Sequence, residues 1–220
     1  MIVAQEALKK SILPGLHDPG ISINISYAGS IGMSLVQMEQ ELLHGLERES
    51  YVQKARQQRL PYLLGRLSAK ELLQARIGGP LKNIPIIATK RGPFCPLAPD
   101  FFINISHSGD FGAACLSSMP TGIDIETMRP RSSALTSFTL HGEESDLLRS
   151  WDDSYRAVIG WSMKEACHKA LRTEESFCPR SYTISRKHDL FFVERDSVCW
   201  HVAVAATGGI FLSLAQPYDR

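Results

Sequence analysis

INISYAG at residues 23–29 and INISHSG at residues 103–109 agree at five of seven positions. Further along, GMSLV at 32–36 lines up with GIDIE at 122–126, and SAKE at 68–71 with SMKE at 162–165. Three matches in the same order predict an internal duplication, in which two similar halves pack together with a cleft between them. The copies differ in charge: Asp124 and Glu126 in the second stand where the first has Ser34 and Val36. Only the second half carries an acidic cluster, so the expected cleft holds one site per chain.

Outward from the repeat, β-type runs fall at residues 22–26 and 33–38, and a helical pattern runs from about residue 38 to 76 with a break near Pro61. KRGPFCPLAPD, residues 90–100, carries three prolines and reads as a loop. Strands follow at 101–106, 113–117 and 122–127, then helical signals around 141–149 and 155–171. Short strands close the sequence at 181–185, 190–194, 199–205 and 210–214. Strands and helices mix without regular βαβ alternation, which predicts α+β rather than a doubly wound sheet. The two halves are expected at 1–118 and 119–220.

The 220 residues are 44% apolar and 21% charged, an ordinary globular balance. A formal charge of +1 excludes a general nucleic-acid binder, which needs an excess of Lys and Arg. Cys95, Cys115, Cys167, Cys178 and Cys199 form an odd set without a CxxC pair, fitting reduced thiols better than a disulfide framework or a zinc knuckle. No run of about 20 apolar residues and no signal peptide is legible, so the expectation is a cytoplasmic protein with no membrane partner.

In TGIDIE, residues 121–126, Ile123 and Ile125 alternate with Asp124 and Glu126, which puts both carboxylates on one strand face. Neighbouring carboxylates repel unless a cation lies between them, and oxygen-only ligands suit Mg²⁺. The same alternation also suits a strand whose acidic face meets water. On the helix predicted for IGWSMKEACHKAL, residues 159–171, Trp161, Glu165 and Lys169 follow one another at single turns on one face, while Lys164 points elsewhere. FINISHSGD, residues 102–110, is expected to set Ser106, His107 and Ser108 just past a strand end. There they are either phosphate donors or a plain polar turn. Residues 51–70 hold Lys54, Arg56, Arg59, Arg66 and Lys70 without an acid, either a solvated face or the positive wall of a phosphate site; Lys90 and Arg91 offer the same from the loop.

Taken in order, KRGP, FINISHSGD, GIDIE and WSMKEACHKAL resemble the 4′-phosphopantetheinyl transferases of the larger, pseudo-dimeric, surfactin-synthetase-activating type, from about residue 61 to 171. The resemblance implies two similar α+β halves in a pseudo-twofold arrangement with the active site in the cleft between them. It implies transfer of 4′-phosphopantetheine from coenzyme A to a serine of an apo acyl or peptidyl carrier protein, by a monomer. Residue by residue, it implies that Asp124, Glu126 and Glu165 hold Mg²⁺, and that Lys169 serves the leaving 3′,5′-ADP. It further implies that Arg66, Ser106 and His107 meet the nucleotide's phosphates, joined by Lys164, and that Glu165 or a metal-bound water takes the serine proton. The chain departs from the family in two places. It has Arg91, Gly92 and Pro93 where the family shows GKP, so that Lys90 or Arg91 stands in for that lysine. It also has Arg172, Thr173, Glu174 and Glu175 where a glycine-containing turn is usual. A carrier-binding protein of this fold that no longer turns over, or a metal-dependent phosphoesterase, are the competing readings.

Overall fold

The computed structural model describes Ile12 and residues 20–218. Among the described residues, ten strands form three sheets. β1 (Ser22–Tyr27), β5 (Phe111–Ser117) and β4 (Phe102–Ser108) make an antiparallel sheet in the order β1-β5-β4. β6 (Gly122–Thr127), β10 (Ile210–Pro217), β9 (Val198–Thr207), β8 (Leu190–Arg195) and β7 (Thr183–Lys187) make a second, in the order β6-β10-β9-β8-β7. β2 (Ile87–Thr89) and β3 (Gly92–Phe94) pair only with each other.

Period two decides which face of each sheet is apolar. Ile23 and Ile25 of β1 and Ile123 and Ile125 of β6 join Ala113, Cys115, Leu212 and Leu214 in one buried cluster that both sheets share. The opposite faces carry helices. Three lie between β1 and β2: α1 (Leu35–Leu42), α2 (Gly45–Val52) and α3 (Arg56–Ile77). Three follow β6: α4 (Ser133–Thr139), α5 (Glu144–Leu147) and α6 (Asp153–Leu171). α3 lies on the first sheet and α6 on the second. Each helix crosses its sheet at a strand glycine. A Cβ at Gly112 would stand 2.3 Å from the Leu64 carbonyl carbon, and one at Gly122 would stand 1.8 Å from the Ala166 carbonyl oxygen. None of the described helices is long and apolar enough to cross a membrane.

Several local expectations fail for identifiable reasons. Residues 33–38, expected as a strand, begin α1: the Ser34 hydroxyl accepts from Gln37 N while the Gln37 side chain accepts from Ser34 N, a capping box that nucleates a helix. α3 runs through Pro61 unbroken, and the break falls earlier, before Arg56. Gly92–Phe94, inside the expected loop, forms β3. The helical signal at 141–149 shrinks to α5, and α4, capped by Ser132, forms where no helical signal is expected.

The duplication also has a different register from the string matches. By position in the sheets, β1-β5-β4 corresponds to β6-β10-β9 and α3 to α6. INISYAG therefore corresponds to GIDIET rather than to INISHSG, which lies on β4, and GMSLV enters α1 rather than a strand. Of the three matches, SAKE with SMKE alone joins equivalent places. Asn24 and Ser26, not Ser34 and Val36, stand where the second half has Asp124 and Glu126.

Equivalence shows in the buried polar contacts. Lys70 Nζ, fully buried, donates to Glu47 Oε2 at 2.5 Å and to the Leu42 carbonyl at 2.6 Å. Lys164 Nζ, also fully buried, donates to Glu144 Oε2 at 2.7 Å and to the Thr139 carbonyl at 2.8 Å. Each glutamate also accepts from the backbone N–H three residues earlier, His44 in HGLE and His141 in HGEE. Twelve residues after each glutamate, Arg59 and Arg156 bond the carbonyls of Lys54 and Trp151. Burial lowers the pKa of both lysines, so an unpaired ammonium here would be costly.

Candidate active site

β6 and α6 bring the acidic residues together. Asp124 and Glu126 project from the same face of β6, and Glu165 comes down from α6, so that one carboxylate oxygen of each lies within 4.8 Å of the others. Lys169, one turn beyond Glu165, places Nζ 2.8 Å from Asp124 Oδ1 and 3.2 Å from Glu165 Oε1. Trp161, one turn before, donates from Nε1 to Glu165 Oε2 at 2.6 Å. The helical spacing expected for these three residues is thus the spacing that closes the site.

The first half contributes through β4, the edge strand beside β6. Ser106 Oγ donates to Asp124 Oδ1 at 2.7 Å and accepts from Ile125 N and Lys169 Nζ. Ser108 Oγ donates to Glu126 Oε2 at 2.9 Å and accepts from Thr127 N. Both serines lie inside the strand rather than past its end; the turn comes at Gly109, with φ of 55°. A hydroxyl has one proton and two lone pairs, so Ser106 is saturated by these bonds. It orients Asp124 and Lys169, and must give up one of these partners to meet a phosphate. The resemblance gives Ser108 no role, although the alternation in FINISHS places it on the same face as Ser106.

Electrostatics follow from this packing. Burial, reinforced by the charge of Asp124, pushes the Glu126 carboxyl up to about 7. Burial would also raise Glu165, but Lys169 and the Trp161 hydrogen bond win and hold it below the usual range. A carboxylate held low with both oxygens engaged suits binding a cation, not taking a proton. Burial disfavours the ammonium of Lys169, and Asp124 and Glu165 more than offset it. Asp124 Oδ2 is buried without a hydrogen-bond donor. Three converging carboxylates, a buried acceptor left open and a mutual repulsion felt by Glu126 together fit a hard, oxygen-seeking divalent cation.

Beside the acidic cluster are two cavities. One, of about 260 Å³, is lined by Glu126, Arg131, Leu135, Val158 and Trp161. The other, of about 210 Å³, is lined by Tyr62, Arg66, Ala88, Thr89, Gly92, Pro93, Ile105 and His107. Arg66 bridges to Glu47 through Nε at 3.4 Å and lies over the Tyr62 ring, leaving its buried Nη1 without an acceptor. Burial and the charge of Lys169 lower the pKa of His107. This second cavity thus offers a guanidinium N–H and an imidazole to one ligand.

Three expected phosphate contacts fall elsewhere. Lys164 is enclosed with Glu144 and cannot reach a diphosphate without breaking that buried pair. Lys90 and Arg91 are exposed and pair with Glu174 at 3.6 and 3.7 Å; neither lines the cavity that their neighbours Thr89, Gly92 and Pro93 help to form. The basic run at 51–70 is not one positive wall, because Lys70 and Arg66 both turn inward to Glu47.

Residues 120–206, which include β6, α6 and the second sheet up to β9, match the model of the 4′-phosphopantetheinyl transferase superfamily. Over this segment, about two fifths of its length, the chain is similar to that superfamily. It is 30% identical over 131 residues to the 4′-phosphopantetheinyl transferase psf-1 of Bacillus pumilus, covering 58% of this chain and 56% of that one. A 4′-phosphopantetheinyl transferase of Bacillus subtilis is 35% identical over 100 residues, 44% of this chain and 45% of the relative. Sfp of Bacillus subtilis strain 168 is 40% identical over 77 residues, 34% of each chain. The chain spans about half the length of the first of these relatives and less of the others. All the acidic residues of the cluster and Lys169 lie within the segment that the superfamily model matches.

Proposed function

We propose that this chain transfers 4′-phosphopantetheine from coenzyme A to a serine of an apo acyl or peptidyl carrier protein, giving the holo carrier and 3′,5′-ADP. The observation that carries the reading is the convergence of Asp124, Glu126, Glu165 and Lys169, on the segment shared with the superfamily, at the seam of two α+β halves. The seryl Oγ forms a bond to the phosphorus that bears the pantetheine arm. The bond from that phosphorus to the oxygen of 3′,5′-ADP breaks, and the hydroxyl proton is released.

The chain's own groups meet the demands of that reaction. Lys169, held charged and aimed by Asp124, Glu165 and Ser106, offers its ammonium to the oxygen that becomes the leaving phosphate. Arg66 and His107 receive phosphate oxygens of the nucleotide in their shared cavity. Trp161, Val158 and Leu135 give the other cavity an apolar wall for the pantetheine arm, next to Glu126. Mg²⁺, held by Asp124, Glu126 and Glu165, would supply charge neutralisation on the diphosphate. Both walls of the cleft come from one chain, which supports a monomer, working in the cytoplasm where its substrates would be met.

Incubation with coenzyme A, Mg²⁺ and apo carriers of fatty-acid, polyketide and peptide synthetases tests the reading by mass spectrometry of the carrier. A phosphopantetheine mass should appear on at least one of them, and Glu165→Gln should slow its appearance by about 100-fold or more, the usual cost of losing a charge that acts on the transition state. No mass gain on any carrier would overturn it.

A further inference from the structure

The hairpin of β2 and β3 supplies half of the wall of the Arg66–His107 cavity, through Ala88, Thr89, Gly92 and Pro93. It hydrogen-bonds as a ladder to neither large sheet. The hydrogen bonds and ion pairs that tie it to the rest of the described chain end on the segment just after α6: Arg172 Nη2 donates to the Pro93 carbonyl at 3.2 Å, and Glu174 meets Lys90 and Arg91. The Glu174 pairs are exposed and weak. The Arg172 contact is half-buried and more elaborate. Its Nη1 also donates to the Ile103 carbonyl on β4 at 3.3 Å, and its guanidinium lies over the Phe102 ring at 5.5 Å. A Cβ on Gly92, whose φ is 105°, would stand 3.4 Å from Nη1, in ordinary van der Waals contact, so the hairpin backbone faces the guanidinium at about one methyl group's depth.

Arg172 reaches this place from an unfavourable backbone. It closes α6 in the left-handed conformation, φ 51° and ψ 38°, which glycine adopts freely and an arginine does not. A glycine would end the helix better, so the side chain is what the position gains.

We propose that Arg172 is a positioning residue that clasps the β2–β3 hairpin to β4 and to the end of α6, holding the Gly92–Pro93 wall of the nucleotide cavity in place. Its planar fork serves two carbonyls at once, which a lysine ammonium on a flexible stem does less well. The clasp links the helix that carries Glu165 and Lys169 to the wall of the cavity beside Arg66 and His107. Its effect on binding rests on the assignment of coenzyme A to that cavity; its effect on the hairpin does not.

The test uses the whole chain and two variants, Arg172→Gly and Arg172→Lys. Arg172→Gly removes the clasp while easing the helix end, effects of opposite sign, so its melting temperature should stay within a few degrees of the wild type. Backbone amides of residues 87–94 should nonetheless exchange hydrogen faster, and the dissociation constant for coenzyme A by calorimetry should rise about tenfold, the worth of one charge-assisted hydrogen bond. Arg172→Lys should fall between the two, and KM for the carrier protein should stay within about twofold of wild type in both variants, as expected when only the coenzyme A wall is loosened. Unchanged exchange at 87–94 in Arg172→Gly would overturn the clasp, as would unchanged coenzyme A affinity in a wild type that binds it. A wild type that binds no coenzyme A would instead overturn the assigned ligand, with the exchange rates still deciding whether the hairpin is clasped.

Discussion

The two halves of this molecule share their scaffold and differ in their chemistry. Lys70 with Glu47 and Lys164 with Glu144 are the same buried staple made twice, down to the glutamate that also accepts from a histidine N–H three residues before it. On the strand and helix beside each staple the halves part. Where the second has Asp124, Glu126, Glu165 and Lys169, the first has Asn24, Ser26, Glu71 and Ala75, by place in β1 and α3. Asn24 Nδ2 donates to Glu71 Oε2, and Ser26 bonds Ser68: a hydrogen-bonded patch with a single carboxylate in place of three carboxylates and a lysine. The shared scaffold and the proposed chemistry therefore occupy separate positions, so altering one should leave the other in place.

The largest expected effect comes from making the second half resemble the first. Asp124→Asn should lower carrier loading by about three orders of magnitude, since it removes a charge that faces both Lys169 and the proposed cation site. The converse, Asn24→Asp, should leave the rate within about twofold. A comparable loss from both would mean that the first half takes part in the chemistry. Next in size are the staples. Glu47→Ala and Glu144→Ala each strand a fully buried ammonium and should cost about 3–5 kcal/mol in urea unfolding. Similar losses would support equivalence; a loss in one half only would break it.

Smaller effects sharpen the same comparison. Arg59→Ala and Arg156→Ala, which each release a loop carbonyl ahead of the helix, should each cost about 1 kcal/mol, measured by the same unfolding. The smallest expected effect is on pH. Burial and Lys169 hold the His107 imidazole low in the free protein, and a bound phosphate would raise it. Binding then takes up a proton, so metal-free affinity for 3′,5′-ADP should rise about threefold as pH falls from about 7.5 to 6. His107→Gln should flatten that slope.

Much of the site could be read from the sequence because it depends on local periods. Alternation in TGIDIE placed Asp124 and Glu126 on one face, and single helical turns aligned Trp161, Glu165 and Lys169. What could not be read depends on distant partners. Nothing in SMKE says that Lys164 is enclosed, because its glutamate comes twenty residues earlier on another helix. Lys90 and Arg91 look like phosphate ligands until Glu174 is placed across from them. Even the duplication was legible only in outline. The strings that match best, INISYAG and INISHSG, sit on non-equivalent strands, whereas HGLE and HGEE mark equivalent places and went unnoticed because only their contacts give them meaning.

β6, the strand that bears Asp124 and Glu126, forms its ladder with β10, the most C-terminal strand described. A chain leaving the ribosome therefore holds the acidic strand without a pairing partner through the synthesis of the next eighty or so residues, however early the first sheet and α3 come together. The proposed metal site is then complete only once β10 has been made, and a truncated product ending before β10 would carry the GIDIE signature on an unpaired strand.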